Sequence, residues 1–117
     1  MQTGWLGALK DKQIGRALSL IHKRPERDWT LASLGREVGM SRSAFAKRFA
    51  ALVGVPTMHY IAQSRMRLAH GQLQQGGVGV SELVSKVGYR SEAAFSRAFK
   101  RHIGVSPNAV SAGPGRA

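Results

Sequence analysis

The chain has 117 residues, no cysteine, and 18 Lys and Arg against six Asp and Glu, for a formal net charge of +12. This length accommodates one domain or two very small ones, and the missing thiols exclude disulfides, thiol catalysis and cysteine-based zinc sites. No apolar run approaches the ~20 residues of a transmembrane helix, and the cationic excess implies an anionic partner, nucleic acid being the commonest, with mere solubility or a membrane surface as the blander readings.

The opening "MQTGWLGALKDK" lacks the apolar stretch of a signal peptide, so a soluble, cytoplasmic protein is expected, and residues 1–10 read as a linker or tail. Ile14, Ala17, Leu18 and Ile21 then mark a helix over about Asp11 to His22, which "HKRPERDW" breaks at Pro25. Trp29, at a loop–helix junction, reads as a core anchor rather than a binding residue, and Thr30 as the N-cap of the next helix. Leu31, Leu34 and Val38 form one face of that short helix, and Gly39 sits where it must turn. Ser41 is placed to cap a second helix whose buried face carries Phe45, Phe49 and Leu52, and which Gly54 ends.

The next segment, "PTMHYIAQSRMRLAHGQLQQ", places Met58, Ile61, Ala62, Arg65, Ala69 and Leu73 mainly on one stripe, so it reads as a long connecting helix. After "GGVG", Gly76 to Gly79, the earlier pattern returns: Val80, Leu83, Val84 and Val87 on a short helix, Gly88 at the turn, and Ser91 at an N-cap. Phe95, Phe99 and Ile103 mark the buried face of the following helix, which Gly104 ends, and "SAGPGRA" reads as a disordered tail.

The return is a repeat. Leu34, Val38 and Gly39 fall on Leu83, Val87 and Gly88 at an offset of 49; one inserted residue, Arg90, makes the offset 50. Then Ser41 falls on Ser91, Phe45 on Phe95, Lys47 on Arg97, Phe49 on Phe99 and Gly54 on Gly104. Two copies are too few for a solenoid and indicate two examples of one small module. A helix of about eight residues, a glycine turn and a helix of about twelve make a helix-turn-helix, although an ordinary antiparallel helical pair has the same periodicity.

The outward faces of the second helices separate these readings. In the first copy that face offers Arg42, Ser43, Ala46, Lys47 and Ala50, with Arg48 on the flank and no acid. In the second it offers Glu92, Ala93, Ser96, Arg97 and Lys100, with Arg101 beside them. Small residues let a helix approach a groove closely; Arg and Lys a turn further on can reach guanine acceptors or phosphates. Glu92 reads either as an acceptor for cytosine or as an acid favoured by the helix dipole. Ser41, Arg90 and Ser91, at the helix starts, complete the candidate DNA-binding set. A connector of about 19 residues is roughly 28 Å long, close to the ~34 Å of one DNA turn, so two recognition helices are expected in successive major grooves.

"WTLASLGREVGMSRSAFAKRFAALVGVPTMHYIAQSRMRLA" followed by "VGYRSEAAFSRAFKRHIGVSP" resembles the DNA-binding domain of AraC/XylS transcription regulators, over about Gln13 to Val110. Gly88, Tyr89, Ser91, Phe95, Arg97, Phe99, Lys100, Gly104, Val105, Ser106 and Pro107 match the family's signature, and Arg65, Ala69 and Leu73 its spaced connector residues. The resemblance implies an all-α fold of about seven helices, with two helix-turn-helix subdomains joined by a long linker helix. The expected boundaries are 11–54, 55–75 for the linker helix, 76–110, and 111–117 for the tail.

The resemblance further implies sequence-specific binding to double-stranded promoter DNA and recruitment of RNA polymerase. Base reading carries over to Arg42, Ser43, Ala46 and Lys47 and to Glu92, Ala93, Ser96 and Arg97, and phosphate contact to Lys100 and Arg101. Gly71 inside the connector, Gln72 in place of leucine, and Val110-Ser111 in place of Tyr-Arg depart from the pattern; the last helix is therefore expected to be short. Most members add an effector-binding, dimerising domain, so the chain reads as a fragment of a longer regulator, monomeric alone and dimeric when intact; a complete single-domain regulator is the rival reading.

No enzyme is expected, since the six acids are dispersed and His22, His59, His70 and His102 share no metal spacing. No cofactor or metal is expected either. The principal alternative is a non-specific architectural or RNA-binding protein, and exposed aromatic platforms would favour RNA. All four phenylalanines instead fall on core stripes. A protein-interaction module would leave the acid-free face of Ser41–Val53 without a reason.

Overall fold

At the starts of several helices in this chain, a side chain satisfies orphaned amides. The computed structural model describes residues 4–111, and side chains from residue 6 onward. Among these residues it contains eight helices and no strand: α1 (Gly4–Lys10), α2 (Lys12–Lys23), α3 (Leu31–Val38), α4 (Arg42–Val53), α5 (Thr57–Gln75), α6 (Val80–Lys86), α7 (Glu92–Ile103) and α8 (Pro107–Ser111). Asp11 caps α2, accepting from the amides of Gln13 at 3.1 Å and Ile14 at 2.9 Å. Thr30 and Ser33 bond reciprocally at the start of α3, a capping box built with a hydroxyl at the third position. Ser41 and Ser91 accept from Ala44 and Ala94 at 3.2 and 3.1 Å, so the repeated serines cap α4 and α7 alike.

The helix at Gly4–Lys10 differs from the linker expected over residues 1–10. Ala8 is fully buried, and Gly7 faces the side chain of Leu52 on α4. A Cβ on Gly15 would lie 2.9 Å from the Leu9 carbonyl oxygen, so only glycine lets α2 pass this close to the end of α1. The segment is too short to declare a helical period; its order comes from packing on α2 and α4. The tail residues 112–117 lie outside those described.

The chain divides into two compact units, the boundary falling between Ile61 and Ala62, inside α5. In the first unit Ile14, Leu18, Trp29, Leu34, Phe45 and Phe49 centre a core that takes Tyr60 and Ile61 from α5. In the second, Leu83, Val87, Phe95 and Phe99 pack with Met66, Ala69 and Leu73 of the same helix. Each fully buried phenylalanine or leucine contributes about 1.5–3 kcal/mol relative to an exposed one. Helix α5 thus carries two stripes, one for each core. Met58, expected on a single stripe, is 46% exposed, whereas Tyr60 and Met66, which that stripe did not include, are buried.

Candidate nucleic-acid interface

Both units build their turn with the same backbone bond. The amide of Met40 donates to the Gly35 carbonyl at 2.8 Å, and that of Tyr89 to the Val84 carbonyl at 2.9 Å. Gly39 and Gly88 stand beside these bonds with φ of 75° and 87°, a region that a β-carbon disfavours. Arg90, the inserted residue, lies between this shared turn and the Ser91 cap.

In the first unit Phe45 and Phe49 anchor α4, their ring centroids 5.7 Å apart and both fully buried, and Phe49 meets Tyr60 edge-on at 5.7 Å. The other side of α4 is thereby turned outward. Arg42, Ser43 and Lys47 are exposed and Ala46 is half-buried, so two small side chains lie between two cations. Among the described residues no acid pairs with Arg42 or Lys47.

In the second unit Phe95 and Phe99 play the same part at 5.8 Å. Glu92, Ala93, Arg97, Lys100 and Arg101 are exposed and Ser96 is half-buried. Lys47 and Arg97 occupy one structural position, as do Ala46 and Ser96. The copies differ further on: the last turn of α7 carries Lys100, Arg101 and His102, where that of α4 has no base. Lys100 and Arg101 of α7 are thus gathered toward its end, whereas Arg42, Lys47 and Arg48 of α4 lie before its last turn.

Ser41, Ser91 and Arg48, all expected as contact residues, have other engagements. The hydroxyls of Ser41 and Ser91 are used in capping. Arg48 turns to Asp11, its Nη2 and Nε donating to one carboxylate oxygen at 2.8 and 2.9 Å. The Ile14 amide, with smaller help from Arg48 and the Gln13 amide, holds the Asp11 carboxyl below its usual range against the opposing effect of burial. Asp11, expected as the first residue of α2, is its N-cap instead, and its partner Arg48 lies 37 residues away, where no local signal names it. Trp29 is buried, its indole N–H donating to the Arg24 carbonyl at 3.0 Å, which fits the core role expected of it. Among the described residues, no three His, Cys, Asp or Glu side chains are grouped to hold a metal ion, and no helix is long and apolar enough to cross a membrane.

A short helix, a glycine turn and a second helix with small residues and cations outward, built twice, define a helix-turn-helix protein. A family described as a helix-turn-helix domain matches residues 34–112. The chain belongs to the AraC-type helix-turn-helix family. It is 43% identical over 103 residues to the HTH-type transcriptional regulator AlkR of Acinetobacter baylyi, covering 88% of this chain and 34% of AlkR. The chain spans about a third of the length of the curated relatives it matches. Among solved structures it is similar to the C-terminal domain of AraT, a response regulator from Geobacillus stearothermophilus (TM-score 0.81, 28% identity, 86% of this chain and 84% of that one). It is also similar to the DNA-binding domain of the global transcriptional factor AdpA, solved in complex with a target DNA (TM-score 0.79, 26% identity, 84% of this chain and 88% of that one).

Proposed function

We propose that this chain binds double-stranded DNA sequence-specifically as the DNA-binding part of a transcription regulator, with α4 and α7 as recognition helices. The observation that carries this reading is the equivalence of Lys47 and Arg97. Each is an exposed cation with no acidic partner among the described residues, one residue beyond a small side chain, on a helix anchored by two buried phenylalanines. Arg42, Ser43, Ala46 and Lys47 read bases in one block, and Glu92, Ala93, Ser96 and Arg97 in another. Lys100 and Arg101 hold phosphates. The DNA-bound state of the AdpA domain supports the partner. The 19 residues of α5, roughly 28 Å, support entry into successive major grooves about 34 Å apart. The cytoplasm is the corresponding compartment, RNA polymerase is a second partner, and dimerisation belongs to the intact regulator.

Selection of bound duplexes from a random library tests this. The expected product is a long asymmetric site with two information-rich blocks about one helical turn apart. A single short block rules out simultaneous reading, and equal competition by arbitrary duplex turns the protein into an architectural binder.

A further inference from the structure

Three helices of the first unit meet at one acidic residue. The Asp11 amide closes α1 by donating to the Gly7 carbonyl at 3.1 Å. Its Oδ1 caps α2 through Gln13 and Ile14, and its Oδ2 meets Nε and Nη2 of Arg48 on α4. Arg48 immediately follows Lys47. A helix free to turn by 10° moves groups at a ~6 Å radius by about 1 Å, enough to spoil a hydrogen bond to a base edge. The Arg48 side chain is 49% exposed, and such pairs contribute little to stability. What this one supplies is a fixed rotation of α4 at the residue beside the proposed reader.

We infer that Asp11 is a positioning residue for base reading by α4, acting through Arg48; the inference rests on α4 being a recognition helix. The competing role, in which Arg48 contacts phosphate and Asp11 merely restrains it, has the opposite sign. Releasing the arginine would then tighten binding to every duplex.

The test uses the full chain with Asp11→Asn, which keeps an N-cap and loses the charge, and Arg48→Met, which leaves the α2 cap untouched. Specific affinity, affinity for an arbitrary duplex, salt dependence and the selected site are measured on protein shown to be folded by urea titration. Each variant is expected to lose roughly three- to tenfold in specific affinity. The lost base preference is confined to the block that Lys47→Ala also relaxes, with the salt slope and arbitrary-duplex affinity unchanged. Tighter binding to all duplexes by Asp11→Asn, or a salt slope lowered by about one in Arg48→Met, overturns the inference, as does an unaltered selected site. If the unmodified chain selects no block, or Lys47→Ala leaves its block intact, the reading of α4 itself fails and takes this inference with it.

Discussion

The guanidinium of Arg65, on α5, lies 5.9 Å from the centre of the Tyr89 ring, and Tyr89 in turn meets Phe95 edge-on at 5.8 Å. In the second unit the helix that supplies part of the core therefore also holds the turn from which α7 departs. A cation over an aromatic face contributes about 0.5–1 kcal/mol at an exposed site and about 2 kcal/mol when desolvated. Arg65→Met is expected to lower the unfolding free energy by about 1 kcal/mol, measured by urea titration. Tyr89→Leu should cost more, because the contact with Phe95 goes as well.

Lys47→Ala and Arg97→Ala should each relax base preference within one block of the bound site at a cost of about 1–3 kcal/mol, read by repeating the duplex selection with each variant. Lys100→Ala should behave differently. It weakens all duplexes alike and lowers the slope of log affinity against log salt by about one, because a phosphate contact carries no sequence information.

The Asp11 carboxyl is held below its usual range in the folded chain by the Ile14 amide, Arg48 and the Gln13 amide. A carboxylate with a depressed folded value contributes stability that is present above the unfolded value and lost as pH falls through the folded one. Asp11→Asn should therefore be less stable than the parent near neutrality, the difference shrinking below about pH 4. Urea midpoints of both proteins between pH 7 and pH 2 check this; a constant difference would contradict it.

Gly71 lies inside α5, and a Cβ built there meets nothing within 4 Å. Gly71→Ala should raise stability by about 1 kcal/mol, since an interior helical glycine leaves the unfolded chain more freedom to lose. The urea midpoint measures the gain, and DNA affinity should not fall.

Much of this architecture is legible in order along the chain because its causes are local. Thr30, Ser41 and Ser91 cap helices through amides three residues on, Gly39 and Gly88 turn through their own φ, and Phe45, Phe49, Phe95 and Phe99 are buried as their spacing demands. The repeat by itself puts Lys47 and Arg97 at one position. What only the tertiary structure decided depends on groups distant in sequence. The first helix forms because α2 and α4 cover Ala8, and Met58 stays exposed because α5 serves two cores with two stripes. Arg48 belongs to Asp11 because folding brings α4 against the start of α2. Periodicity reports that a side is apolar or charged; the partner that side meets is set by how the chain closes on itself.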